Sequence, residues 1–413
     1  MQEGFRQSVG KIEQLTMTPD KKGNMKVYMK ADMTDVLAIE QIDASQFDTA
    51  IVAIGDSIEA SVIITGNLLD AGVSDLWAKS VSQEHARILQ RIGIENIAVV
   101  REQELPNGHF PTCPYPNPEE KSTLELGIEL CKKIDGDLVL ATDPDADRVG
   151  IAVNHHGEYI LPTGNEVGVL MLDYIAKQRI AQGTMPKNPV AVKSIVSTPL
   201  ADVVAKSYGI QMINVLTGFK YIGEQITLLE QKGEENRFLL GFEESYGYMT
   251  GGHVRDKDAV NGSMIICEMA QYYKRQGKTL IDALNDIFAR FGVYASKVKG
   301  YTYEGTEGME TMAGIMKRLR ENPPKSFSGY KVLACADYQI SKRKDFRSGG
   351  EADISLPTSN VLEYDLENNL KVIVRPSGTE PKIKVYLTIV TNDKQQIPII
   401  EQRLFDAADM LMR

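Results

Sequence analysis

Three aspartates at alternate positions, Asp143, Asp145 and Asp147, stand in the run Asp143-Pro144-Asp145-Ala146-Asp147-Arg148, between two apolar stretches, 138–142 and 149–153. Each stretch has the length and apolar character of a short buried strand, so the loop hangs from fixed sheet ends. Three hard oxygen donors packed this closely repel one another unless a cation sits among them, and Mg²⁺ suits such a set. Arg148, directly after them, has the planar fork that accepts an incoming phosphate. A calcium EF-hand loop is excluded. It requires Gly at its sixth position and Glu at its twelfth, where this chain has Arg148 and Asn154. A solvated acidic turn stays open on these residues alone.

The chain has 413 residues, enough for two to four domains with sizeable cores. Its 43% hydrophobic and 25% charged content is that of a soluble globular protein. A net charge of −10 argues against nucleic acid or an anionic membrane surface as a partner. Four scattered cysteines, Cys113, Cys131, Cys267 and Cys335, lack metal-ligand spacing and read as reduced thiols. No apolar run reaches the length of a membrane span, and the first ten residues do not read as a signal peptide. The expected location is the cytoplasm.

Residues 1–45 carry no assignable chemistry, although 26–29 has the pattern of a strand and 34–42 that of a short helix. From Thr49 the order becomes strand (49–54), helix (58–69), strand (75–79), helix (83–91), strand (96–100), a rhythm that predicts a parallel sheet. The segment F-D-T-A-I-V-A-I-G-D-S-I-E-A-S, with L-W-A-K-S-V-S-Q-E-H-A-R-I-L-Q-R-I-G after it, resembles half of the nucleotide-binding regulator domains of potassium transporters, over about 47–100. The G-x-G-x-x-G fingerprint that cradles a pyrophosphate is not in this sequence, and Gly55 alone reads more simply as a strand-end turn.

Beyond the aspartate loop, two further runs carry chemistry. Arg375-Pro376-Ser377-Gly378-Thr379-Glu380-Pro381-Lys382 lies between two strand patterns. It offers a bidentate guanidinium, two hydroxyls and a glycine that lets backbone N–H groups approach an anion. In Gly241-Phe242-Glu243-Glu244-Ser245-Tyr246-Gly247-Tyr248, adjacent glutamates on an extended segment point to opposite sides, so one can face a ligand. A carboxylate beside a hydroxyl suits vicinal sugar hydroxyls. Thr217-Gly218-Phe219-Lys220 and Arg255-Asp256-Lys257-Asp258 are basic clusters that, taken alone, read as solvated charge.

These runs, in this order, resemble the α-D-phosphohexomutases, the phosphoglucomutase/phosphomannomutase family, from about Arg91 to the last residue. The resemblance implies a multidomain α/β fold: two α/β domains with mixed or parallel sheets and a smaller C-terminal α+β domain. The expected divisions are an unassigned segment 1–45, an α/β domain 46–158 carrying the metal loop (family-like from about 91), a sugar-binding α/β domain 159–295, and a phosphate-binding domain 326–413. It implies Mg²⁺ on Asp143, Asp145 and Asp147, and sugar contacts at Glu243 and Ser245. Arg375, Ser377, Gly378 and Thr379 are expected to hold the phosphate not being transferred. Arg255 and Lys257 add positive charge to the cleft, and Lys220 and Arg148 are the expected catalytic groups. The implied reaction interconverts a hexose 1-phosphate and 6-phosphate, with glucose 1,6-bisphosphate as activator and intermediate.

The family's nucleophile is a serine in T-A-S-H-N-P, and no serine of this sequence is followed by His-Asn. The expectation is therefore that the phosphoserine domain is separate or missing and that this chain is inactive alone. A non-catalytic sugar-phosphate or nucleotide binding module is the rival reading.

Overall fold

The computed structural model describes the backbone of four strands before residue 98, and residues 98–413 with side chains, except 106, 253, 304–306 and 379. The chain divides into two compact units, Met1–Pro114 and Tyr115–Arg413. In the first, β1 (Ile12–Pro19) and β2 (Met25–Ala31) form an antiparallel pair, and β3 (Thr49–Val52) and β4 (Asp75–Ala78) a parallel one. The parallel pairing agrees with the rhythm read from the sequence. The helices expected at 34–42, 58–69 and 83–91, and Gly55, lie outside the described residues. The strand expected at 96–100 is not present over Ala98–Val100, and a single 3₁₀ turn, Arg101–Gln103, follows.

The second unit opens with α1 (Lys121–Lys133) packed on a three-stranded antiparallel sheet of β5 (Leu138–Thr142), β6 (Val149–His155) and β7 (Glu158–Ile160). Helix α2 (Gly164–Ala181) starts where Thr163 and Glu166 close a capping box. Strands β8 (Val190–Ser194), β9 (Gln211–Val215) and β10 (Phe238–Glu243) run parallel, with β11 (Gly247–Met249) antiparallel on β10, in the order β11-β10-β8-β9. Around them lie α3 (Leu200–Ser207), α4 (Phe219–Glu230), α5 (Ala259–Lys274) and α6 (Leu280–Phe291). Val149, Ile151 and Val153 of β6 share one core with buried residues of α2, α5 and α6.

The C-terminal sheet takes in more of the chain than the sequence patterns suggest. Strand β12 (Val293–Thr302) pairs along ten residues with β19 (Lys382–Thr391). The sheet runs β12-β19-β18-β17-β14-β15-β16, with β14 (Tyr330–Asp337), β15 (Lys342–Asp345), β16 (Glu351–Asp353), β17 (Leu362–Leu366) and β18 (Lys371–Pro376), while β13 (Ser326–Phe327) pairs with β14 alone. Helices α7 (Gly308–Glu321) and α8 (Ile397–Leu411) complete its core. A smaller apolar cluster, including Val196, Leu216, Ile373 and Tyr386, packs the ends of β8 and β9 against β18 and β19. The four cysteines form no disulfide, and among the described residues no helix is long and apolar enough to cross a membrane.

Candidate functional site

The aspartate loop joins β5 to β6 and is folded by its own first carboxylate. Asp143 Oδ1 accepts the N–H groups of Asp147 (3.0 Å) and Arg148 (2.9 Å). Ala146 adopts the left-handed conformation (φ 54°), and its carbonyl accepts the N–H of Ala259 at the start of α5. One oxygen from each of Asp143, Asp145 and Asp147 then lies within 4.8 Å of the others. Burial raises the Asp143 pKa above the usual carboxylate range against the pull of the Arg148 N–H. Asp147 Oδ1 is buried with no hydrogen-bond partner; Arg148 Nε, 3.8 Å away, has none either. An orphaned buried carboxylate oxygen is costly, and a hard divalent cation among three carboxylates satisfies it. The residues present fit Mg²⁺.

Two cations of the chain itself stand on this loop. Lys257 Nζ is 2.7 Å from Asp147 Oδ2 and 3.1 Å from Asp256 Oδ1. Its stem lies on Gly247, where a Cβ would come within 2.4 Å of Lys257 Cδ, so a side chain there would push the lysine aside. Burial disfavours the ammonium, but Asp147 and Asp256 outweigh it and hold the Lys257 pKa above its ordinary value. Lys257 thus competes with a metal for Asp147. Lys257→Gln is expected to tighten Mn²⁺ or Mg²⁺ binding about tenfold, the factor that ~1.4 kcal/mol of relieved competition produces. Equal or weaker binding in a calorimetric titration of the variant would show that the lysine does not compete. The second cation, Arg148, reaches Glu119 Oε1 at 3.4 Å and Asp143 Oδ2 at 3.8 Å. Burial raises the Glu119 pKa, opposed by Arg148 and Lys384.

The adjacent glutamates take different partners where β10 ends, Glu243 being the last residue of the strand and Glu244 the first of the turn that follows. Glu243 is buried, and its Oε1 accepts the Gly218 N–H at 2.7 Å. Glu244 Oε2 accepts from Ser194 Oγ (3.1 Å) and Ser197 Oγ (3.5 Å). Burial, then the neighbouring Glu244 charge, pushes the Glu243 carboxyl up to about 7, while the Gly218 N–H, Lys257 and Arg375 draw it down. Ser245 is half-buried, in the turn that Tyr246 closes with φ 63°. Lys220 is exposed in the first turn of α4, its Nζ 4.9 Å from the Tyr221 ring centroid. Arg255 is engaged by Glu230 and by the carbonyls of Gly252 and Val254.

Arg375, in β18, stands directly opposite Lys384 of β19. Like charges placed opposite on an antiparallel pair repel, and an anion between them relieves the repulsion. Arg375 Nη1 reaches Tyr386 Oη at 3.5 Å. The turn beyond is closed by Ser377 N to Lys382 O (2.7 Å) and by Glu380 N to Ser377 Oγ (3.2 Å). Gly378 is exposed, with open space where a side chain would stand. Thr379 lies outside the described residues.

The descriptions "Phosphoglucomutase/phosphomannomutase, alpha/beta/alpha domain II" and "domain III" match residues 72–157 and 163–291, together more than half of the chain. Phosphoglucomutase of Staphylococcus epidermidis is 36% identical over 321 residues, covering 78% of this chain and 57% of that protein. The chain belongs to the phosphoglucomutase/phosphomannomutase family. Staphylococcus aureus phosphoglucomutase is likewise 36% identical, over 303 residues, covering 73% of this chain and 53% of its own length. The chain thus spans little more than half the length of these curated relatives. A crystal structure of a phosphoglucomutase/phosphomannomutase family protein from Burkholderia thailandensis, 13% identical, superposes with a TM-score of 0.50 over 92% of this chain and 65% of that one, a likeness of fold. A TrkA-N domain description matches residues 13–100, in keeping with the regulator-like segment.

Asp143, Asp145, Asp147, Arg148 and Lys257 form one cluster, and the charges of Lys257 and Arg375 both reach Glu243. Among the described residues, Arg255 and Lys220 make no ion pair to that cluster. The sequence reading passed over Glu119, Ser194 and Ser197. The serines had a usable signal: they lie at and just beyond the carboxyl end of a parallel strand, where open α/β sheets bind ligands.

Proposed function

We propose that this chain carries the metal, sugar and distal-phosphate sites of a hexose-phosphate mutase acting in the cytoplasm, interconverting hexose 1-phosphate and 6-phosphate with glucose 1,6-bisphosphate as intermediate. The observation that carries it is the convergence on Glu243. Its buried carboxyl lies within the charge range of both Lys257, which rests on the aspartate loop, and Arg375 of the phosphate loop. An acidic chain that gathers cations around one carboxylate suits a ligand with hydroxyls in its middle and a phosphate at each end.

In this reading Asp143, Asp145 and Asp147 hold Mg²⁺, which when bound supplies charge neutralisation at the phosphoryl group in transfer. Arg148 and Lys257, released from the aspartates, add positive charge on the same side. Glu243 and Ser245 receive sugar hydroxyls. Arg375, Lys384 and the 377–379 turn hold the other phosphate. Lys220, on an exposed helix start, is the candidate proton donor or phosphate contact, and Arg255 adds positive charge to the cleft. Phosphoryl transfer needs positioning and charge more than covalent help from the protein, which these groups supply. The serine that accepts the phosphoryl in the family stands before His-Asn, and no serine of the given sequence does.

Arg375→Ala should lose ~1.5–3 kcal/mol of glucose 1,6-bisphosphate binding, the worth of a charge-assisted contact. Unchanged affinity in a calorimetric titration means that the phosphate lies elsewhere. Asp145→Asn should weaken Mg²⁺ binding while leaving the melting curve in place, because the side chain is exposed. Equal Mg²⁺ affinity in variant and parent removes the metal from this loop.

A further inference from the structure

At the far end of β6 from the aspartate loop stands a second set of metal-binding side chains. We propose that His155, His156 and Asp282 form a site for a late first-row divalent cation, Zn²⁺ being the biological candidate. One ligand atom from each lies within 4.8 Å of the others, and the two imidazole centroids are 4.3 Å apart. Neighbours on a strand point to opposite faces. These two do not, because β6 ends at His155 and His156 turns with φ 54°, followed by Gly157 with φ 92°. That is the two-residue hairpin turn favoured by the strand twist, and Asn154 Oδ1 holds it by accepting the Gly157 N–H at 3.0 Å.

Asp282 arrives from the first turn of α6. Its Oδ2 accepts both the N–H and the hydroxyl of Thr279, each at 2.9 Å, and its Oδ1 has no hydrogen bond among the described residues. Because the Thr279 hydroxyl gives its hydrogen to Asp282, it accepts from His155 Nδ1 at 2.9 Å, the nitrogen that also stands 3.9 Å from Asp282 Oδ2; with that nitrogen protonated, Nε2 is the one that could bind a metal. An imidazole whose other nitrogen donates to an outer partner is the usual arrangement of a metal-binding histidine. A capping box accounts for Thr279 and Asp282; it does not account for two histidines turned onto the same carboxylate.

The donor set selects the metal. Neutral imidazoles are poor ligands for Mg²⁺ and good ones for Zn²⁺, Co²⁺ or Ni²⁺, and two nitrogens with one carboxylate leave a position for water. The histidines fall in the stretch matching domain II and Asp282 in the stretch matching domain III. A bound ion would therefore staple the β6–β7 hairpin to α6 and stabilise the folded unit by mass action.

The test uses the full chain with excess Mg²⁺ present, titrated with Zn²⁺ in a calorimeter and with Co²⁺ by visible absorption. One ion per chain is expected at micromolar concentration, with a rise in Tm and a Co²⁺ spectrum free of thiolate charge-transfer bands. His156→Ala, at an exposed turn position, should weaken Zn²⁺ binding about tenfold or more and abolish the Tm rise, whereas Asp145→Asn should leave both unchanged. No stoichiometric binding, equal binding by His156→Ala, a thiolate band, or loss of the response in Asp145→Asn would each overturn the site.

Discussion

Assayed alone with Mg²⁺ and glucose 1,6-bisphosphate, the 413-residue chain is expected to convert glucose 1-phosphate to glucose 6-phosphate at least about a thousandfold below ordinary enzyme rates of ~1–10³ s⁻¹. In the proposed function the described residues bind, orient and neutralise. No serine of the chain stands before His-Asn to take and return the phosphoryl group. Positioning multiplies the rate of a step whose nucleophile is present; it does not supply one. If Asp143, Asp145 and Asp147 hold Mg²⁺ without the oxygen of a serine phosphate, they would give it an incomplete ligand set, and weak binding is expected. Water can take the place of the absent hydroxyl, which predicts slow release of inorganic phosphate rather than isomerisation. A coupled assay for glucose 6-phosphate, run beside a phosphate assay, separates the two. Isomerisation at an ordinary rate would show that another side chain carries the phosphoryl group and that the reading of the family's serine does not apply. Binding with neither product is what a sugar-phosphate sensor would give.

What could be read from the sequence was chemistry confined to one short run. The alternating aspartates between two apolar stretches required a loop at strand ends, and β5 and β6 place it there. The different partners of Glu243 and Glu244, the Gly218 N–H for one and Ser194 with Ser197 for the other, arise where the strand gives way to a turn. Pairings between distant runs were not legible. Lys257 sits on Asp147 from 110 residues away, and nothing in Arg255-Asp256-Lys257-Asp258 distinguishes that lysine from solvated charge. Gly164 and Gly168 stand in the first turns of α2, although glycine argues against a helix by propensity. They are there because the backbone of Glu244 and the ring of Phe242 pass so close that a Cβ would fall within 2.2 Å and 2.4 Å of them. Helix propensity lost to close packing, and that packing is what seats the 243–246 turn. Likewise β12 alternates too weakly in polarity to read as a strand, and it is held by ten-residue pairing with β19 rather than by burial of its own.

Glu243→Gln is expected to change how stability depends on pH, by an amount set by the buried carboxyl. In the unfolded chain this group titrates near 4.5, and in the folded chain near 7, because burial and then the Glu244 charge disfavour the anion. Below the first value both states hold the proton, and the group adds nothing to the pH dependence. Between the two values the unfolded chain has released the proton while the folded chain keeps it, so stability falls as pH rises. Above the second both are ionised and the penalty is complete, of order 3 kcal/mol. Glutamine keeps an oxygen for the Gly218 N–H, which the native side chain meets at 2.7 Å, and cannot ionise. Urea unfolding of parent and variant from pH 5 to pH 9 should therefore show the parent losing stability relative to Glu243→Gln, most steeply between pH 5 and 7. A difference that stays level across that range would mean that the carboxyl is not held up by burial. The same titration bears on sugar recognition. Near neutrality the site holds both a carboxylic acid, which donates to a hydroxyl, and a carboxylate, which only accepts, so the affinity for a hexose phosphate should change over the same interval, and Glu243→Gln should remove that change.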